Sequence, residues 1–479
     1  MTLAATSTAS PDLERLPSTS LLRFYDPSTQ GNSFSLDGFP AMGTVPERGD
    51  SPKNWQARLA EFIRLKGALG MTTNQTLFRQ LLETGVLDDR LRVFKKEGRS
   101  ATWIYQVLYN EAATEAARIF SPVNSRWPSE GRVSQEASAL LTELEPLVQE
   151  VRRIAEAMRG VAAFTKVPNL KIGPQAVRAA TATGQVNPNV TLVFSDRHYL
   201  DTAEGYLQGL QELAGRKQDL SGFFSVNSLF VSRVDRVVDP MIDEALKGSR
   251  KRVPGLRPGT PVELLKGKTA VAQAKKIYQI FETIFLGKPF ADPEGLYADS
   301  EGQGMRRRME ELTLLFRKLK AQGAQPQRLL IASSGVKSDQ PYSPLLYVLP
   351  FFGPWCANTM PEGTLDEVSR FAATLSDSQA AALKKRSLMS EPLPAVPTPL
   401  QPVGEWDRIL LLTPEQRRRE GITDWSPDRV LREVHRLVLQ PKGTTLRAIC
   451  DTLRDKGAES FLADERATLQ GIEAKLERL

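Results

Sequence analysis

The run VAAFTKV, residues 161–167, is apolar except for Thr165 and Lys166 near its end. A loop and a helical segment follow, then a second strand-like run, Val190 to Phe194, behind the turn signal Asn187-Pro188. Two strands joined by a helix make a βαβ unit, and its parallel strands are buried on both faces. A lysine in such a strand is out of place as packing. Burial disfavours the charged amine, and a neutral amine attacks a carbonyl carbon to form a Schiff base. That chemistry also needs an acid to remove water and a base to accept a hydroxyl proton as a carbon–carbon bond breaks.

Other strand ends carry polar groups suited to those tasks: Asp37 in SFSLD, Asn74 after Thr72-Thr73, Glu136 closing RVSQE, Ser228, and Ser333-Ser334 after RLLIA. Asn189 and Thr191 lie two apart in one strand and so point to the same side. Any one of these alone reads as a turn or cap residue. Their recurrence at successive strand ends predicts a shared cavity.

The elements that would position them alternate along the chain. Strands are expected at Ser33 to Asp37, Gly67 to Met71, Arg132 to Glu136, Val161 to Val167, Val190 to Phe194, Gly222 to Val226 and Arg328 to Ser333. Leu345 to Phe352 is a candidate strand or extended loop, and Thr359-Met360 ends a short strand. Helical periodicity begins at Trp55 and returns at Leu77 to Leu87, Thr102 to Phe120, Leu140 to Met158 and Tyr199 to Ala214. It continues from Leu229, at Thr269 to Phe285, Met305 to Lys320 and Leu365 to Leu375, with tail helices at Pro427 to Leu439 and Glu459 to Leu479. About eight strands alternating with helices predict the α/β class and a (β/α)₈ TIM barrel. The expected division is an irregular segment 1–32, a barrel over 33–380, a proline-rich and basic insertion or linker over 381–425, and C-terminal helices 426–479 packing on the barrel. Further insertions are read at 38–54, 248–260 and 388–420.

The 479 residues are 41% hydrophobic and 25% charged, an ordinary globular balance. No apolar run is long enough to span a bilayer, and the N-terminus lacks the pattern of a secretory signal. Two cysteines, Cys356 and Cys450, and two histidines, His198 and His435, exclude a disulfide framework and a cysteine-rich zinc site, and fit a reducing cytoplasm. The net charge of +7 comes from scattered clusters such as Arg306-Arg307-Arg308 and Arg417-Arg418-Arg419. No aromatic residues interleave with them, so neither a nucleic-acid nor a membrane partner is expected.

The runs GMTTNQTLF (70–78), RVSQEAS (132–138), TKVPN (165–169), NPNVTLVFS (187–195), SVNSLFVSRVD (225–235), QRLLIASSGVKS (327–338) and NTMPEGTLDE (358–367) together resemble transaldolase, in its longer bacterial and plant-type branch. The resemblance implies a class I aldolase-like barrel with loop insertions and a helical C-terminal extension. It implies transfer of a dihydroxyacetone unit between sugar phosphates in the pentose phosphate pathway, in the cytoplasm, without metal or organic cofactor, by a monomer or homodimer. On the same basis Lys166 is the Schiff-base lysine, and Glu136 and Asn74 handle the catalytic water and substrate. Asn189, Thr191 and Ser228 hold the intermediate; Arg233 binds phosphate, with a second phosphate contact at Ser334 and Lys337. The first-strand acid is Asp37 or Asp26, with Asp37 preferred because it ends an extended run. Gln75 replaces the family's proline, and Asn169-Leu170 replaces Ala-Thr after the lysine motif. Alternatives are a related sugar-phosphate aldolase of altered specificity and a barrel without activity serving as an interaction or regulatory module.

Overall fold

In the computed structural model the described residues are 20–40, 55–248, 262–396 and 404–479. The segments of the expected insertions at 41–54, 249–261 and 397–403, and residues 1–19, lie outside them. Eight parallel strands close into a barrel in chain order: β1 (Ser33–Asp37), β2 (Gly70–Thr72), β3 (Arg132–Glu136), β4 (Ala163–Pro168), β5 (Pro188–Val193), β6 (Ser225–Phe230), β7 (Gln327–Ala332) and β8 (Cys356–Met360). Closure leaves no open edge, so every strand is paired on both sides. Helices return β1 through β6 each to the next strand, and the β7–β8 connection carries a one-turn helix, Leu349–Phe351.

Alternation along the strands divides the interior into layers. Phe164, Val226, Leu330 and Ala357 fill the inside at mid-height. Beneath them Glu130 accepts from Arg328 Nη1 (2.6 Å) and Ser33 Oγ (2.7 Å), while Arg132 lies over the rings of Phe164 and Phe224. One step above the apolar layer, at the C-terminal strand ends, come Asp37, Thr72, Glu136, Lys166, Asn189 and Ser228.

Three local expectations shift. The strand expected at Gly222 to Val226 begins only at Ser225, because the Asn187 side chain accepts from the Phe224 N–H (2.9 Å) and fixes a turn ahead of it. Leu345 to Phe352 is buried but folds as turns and a one-turn helix, Leu349–Phe351; Pro350 has no N–H to offer a strand ladder. The last helix starts thirteen residues before Glu459, at Leu446, capped by Thr445 Oγ1 accepting from the Ala448 N–H, and runs to Arg478. Gly457 does not break it. A Cβ there would stand 2.7 Å from Leu192 Cδ2, so a larger residue would have to push that buried side chain aside. Residues 381–425 contain the short helices Glu405–Leu411 and Pro414–Arg419 and a two-stranded antiparallel pairing of Leu393–Pro394 with Asp424–Trp425. Among the described residues no helix is long and apolar enough to cross a membrane.

Candidate active site

The strand register places Lys166 between Glu136 of β3 and Asn189 of β5. All three are buried, Lys166 at 5% and Glu136 at 3% exposure. Lys166 Nζ donates to Glu136 Oε2 at 3.3 Å and to the Thr73 carbonyl oxygen at 3.0 Å. Asn189 is held at both ends of its amide: Nδ2 donates to Ser134 Oγ (2.9 Å), and Oδ1 accepts from Ser228 Oγ (2.6 Å). Thr191, two residues on, faces the same side; its hydroxyl is fully buried and has no partner among the described residues. A buried hydroxyl without a partner is costly unless something else satisfies it.

Asp37 closes β1 on this rim, its Oδ1 accepting from Thr72 Oγ1 (2.7 Å), which in turn meets Thr359 Oγ1 of β8 (2.7 Å). Asp26 is used elsewhere. It lies ahead of β1, where its carboxylate accepts from the Ser28 N–H and hydroxyl and from Thr29. Those bonds outweigh its partial burial and hold its pKa below the usual value. Asn74 stands at the end of β2 and caps the helix Gln75–Glu83, Oδ1 accepting from the Leu77 N–H (2.9 Å).

Arg233 lies in the first turn of the helix Ser232–Gly248, directly after β6, with its guanidinium 5.2 Å from the centre of the Phe230 ring. Burial lowers its pKa, while Asp37 and Glu136 act in the opposite direction. Among the described residues no carboxylate lies within ion-pair distance of Arg233. Ser334 reaches the rim through Thr359, whose hydroxyl meets Thr72, while no described contact joins Lys337 to the cluster. The Ser334 hydroxyl donates to the Thr359 carbonyl (2.8 Å), and Lys337 is exposed in the loop after β7.

Some contributors escaped the sequence reading. Ser134 stands two residues before Glu136, and its period-2 position was a usable signal. Tyr109, on the helix Ala101–Ile119, pairs with Thr73 Oγ1 (2.7 Å) behind the lysine, and no local pattern announces it. The same holds for Glu465, whose contacts are given below.

Burial pushes the Glu136 carboxyl up to about 7, with Lys166 pulling the other way and Glu465 and Asp37 adding to the rise. A carboxyl titrating there exchanges protons in both directions at neutral pH. The expected pH profile of kcat/KM therefore falls on its acid side with an apparent pKa near 7. An acid side that stays flat down to pH 5 would remove Glu136 from proton transfer.

A buried lysine on a parallel barrel wall, beside a carboxyl tuned to neutrality, defines the chemical class. Residues 55–394 match the family described as Transaldolase/Fructose-6-phosphate aldolase, and the chain belongs to that family. Its curated relatives include proteins named transaldolase. That of Trichodesmium erythraeum is 31% identical over 311 residues, covering 64% of this chain and 73% of the relative. That of Mycobacterium tuberculosis is 30% identical over 336 residues, covering 67% and 79%. That of Saccharopolyspora erythraea is 32% identical over 309 residues, covering 64% and 73%. The chain is an enzyme of the transaldolase type, a transferase.

Proposed function

We propose that the barrel moves a dihydroxyacetone unit from a ketose phosphate, sedoheptulose 7-phosphate or fructose 6-phosphate, to an aldose phosphate, glyceraldehyde 3-phosphate or erythrose 4-phosphate. The contact of the Lys166 amine with Glu136 on the buried barrel wall carries this reading. The Glu136 carboxylate takes the proton that the amine releases as it adds to the ketose carbonyl carbon, and returns it as the carbinolamine loses water. The neighbouring carbon–carbon bond then breaks: the hydroxyl proton passes to Asp37, the bond electrons move into the iminium, and an aldose phosphate leaves. The enamine attacks the second aldehyde and the steps run in reverse. Thr191 carries the proton relay beside Glu136, while Asn74, Asn189 and Ser228 hold the hydroxyls of the bound three-carbon unit.

Arg233 receives the phosphate, helped by the helix N-terminus on which it stands, with Ser334 and Lys337 as a second contact. The scheme needs no metal or organic cofactor. It belongs to the pentose phosphate pathway, in the cytoplasm, in a monomer or homodimer whose barrel spans 33–380, with 426–479 as helices docked on it.

Reduction with borohydride in the presence of fructose 6-phosphate tests the reading. The expected product is a sugar-derived mass on the peptide containing Lys166, absent from Lys166→Ala. No adduct in the unaltered chain would favour a non-catalytic role. A second reading, an aldolase releasing free dihydroxyacetone, draws on Asn169, whose buried amide nitrogen has no partner among the described residues and whose backbone N–H donates to the Thr191 carbonyl. An adduct with dihydroxyacetone release and poor transfer to erythrose 4-phosphate would select it.

A further inference from the structure

The C-terminal helix, Leu446–Arg478, lies across the end of the barrel that bears Lys166. Cys450 Sγ donates to the Phe194 carbonyl just beyond β5 (3.3 Å), and Asp451 Oδ1 meets His198 Nε2 (2.8 Å). Gly457 rests on Leu192, the residue after Thr191, and a Cβ there would stand 3.5 Å from Arg233 Nη1. Leu192 has φ +61° at an irregularity in β5, so the strand bends where the helix presses on it. Two turns further on, Glu465 reaches the loop after β3. It accepts from Ser138 Oγ (2.7 Å) and from the Ala139 N–H (2.7 Å), two and three residues past Glu136. Glu465 is 2% exposed.

A buried carboxylate is an expensive way to pin a turn that a neutral acceptor would also hold. Its placement says what else it does. We propose that Glu465 is a positioning residue for Glu136: from across the barrel mouth it holds the Ser138–Ala139 turn, fixes where the acid–base carboxyl stands, and ties the docking of the last helix to proton transfer. The proposal rests on the reading of Lys166 and Glu136 above.

The groups that face Glu136 are Lys166 from β4, Asp37 from β1, Tyr105 and Tyr109 from the helix Ala101–Ile119, Arg233 after β6, and Glu465. Glu150, on the helix Leu144–Ala157, faces Glu465 in turn. Glu465 is one of the negative charges that raise Glu136, so removing its charge has a defined direction. Asp464, its neighbour, accepts from Thr76 Oγ1 (2.5 Å) on the outer side and serves as the control for helix docking alone.

The test compares Glu465→Gln, Glu465→Ala and Asp464→Asn. The readouts are the pH profile of dihydroxyacetone transfer from fructose 6-phosphate to erythrose 4-phosphate, thermal stability, and carboxyl NMR titration of Glu136 assigned with Glu136→Gln. For Glu465→Gln the Glu136 titration and the acid limb move down by about half a pH unit. For Glu465→Ala kcat falls about 10-fold with KM within about twofold, as a misplaced catalytic group predicts. Asp464→Asn changes stability alone. If both Glu465 variants lose only stability and keep the titration of the unaltered chain, the carboxylate is an anchor and the proposal is overturned. Failure of borohydride labelling in the unaltered chain would instead overturn the Schiff-base reading, and the NMR titration would still decide the role of Glu465.

Discussion

Lys166→Ala is expected to lower dihydroxyacetone transfer by about 10⁴-fold or more, because on the proposed reading Lys166 is the nucleophile and it is the only lysine in the eight described barrel strands. The loss should fall on kcat, measured under saturating fructose 6-phosphate, since the proposed phosphate and hydroxyl contacts are untouched. The fold should survive. The amine is one side chain in a closed barrel, and truncating a buried chain of this size costs about 2–4 kcal/mol. Lys166→Met keeps most of the volume and should show the same kinetic loss with a higher melting temperature than Lys166→Ala. Retention of more than a few per cent of activity in a chain that melts normally would place the nucleophile elsewhere.

Glu136→Gln should cost about 10²- to 10⁴-fold in kcat, the usual span for a positioned acid–base group. The amide keeps the shape and accepts from Lys166 Nζ, but it cannot give a proton to the departing water or take one back. Borohydride trapping separates this effect from the loss of the nucleophile. The adduct on Lys166 should still form in Glu136→Gln, only more slowly, and the acid limb near pH 7 should disappear. An unchanged limb would mean that it belongs to another group.

Much of this site was legible because parallel strands follow a strict rule. When a strand is buried on both faces, each polar residue in it needs a reason, and the period of two then sorts those reasons by side. Lys166, Glu136 and Asn189 stood out on that basis, and the ladder puts them on adjacent strands. The preference for Asp37 over Asp26 followed from strand position, and the Ser28 and Thr29 contacts give it a physical cause. Leu345 to Phe352 stayed open between strand and extended loop because an apolar run alone does not distinguish the two, and it folds as buried turns. The early start of the last helix was hidden by Gly457, whose missing side chain serves close packing and not a stop. Glu465 could not be read at all: it meets Ser138 from 327 positions away, a distance across which spacing carries no information.

The lower end of the barrel has a kinetic corollary. With Arg328 and Ser33 both donating to Glu130 and Arg132 laid over two aromatic rings, the cavity left there is about 30 Å³, room for about two water molecules. Among the described residues that end is too narrow for a sugar phosphate, so in the proposed scheme donor, leaving aldehyde and incoming acceptor share the mouth at the C-terminal strand ends. On the proposed Schiff-base reading the first product departs before the second sugar enters, while the three-carbon fragment stays bonded to Lys166. Turnover should therefore alternate strictly between the two half-reactions, giving parallel double-reciprocal lines when both sugars are varied.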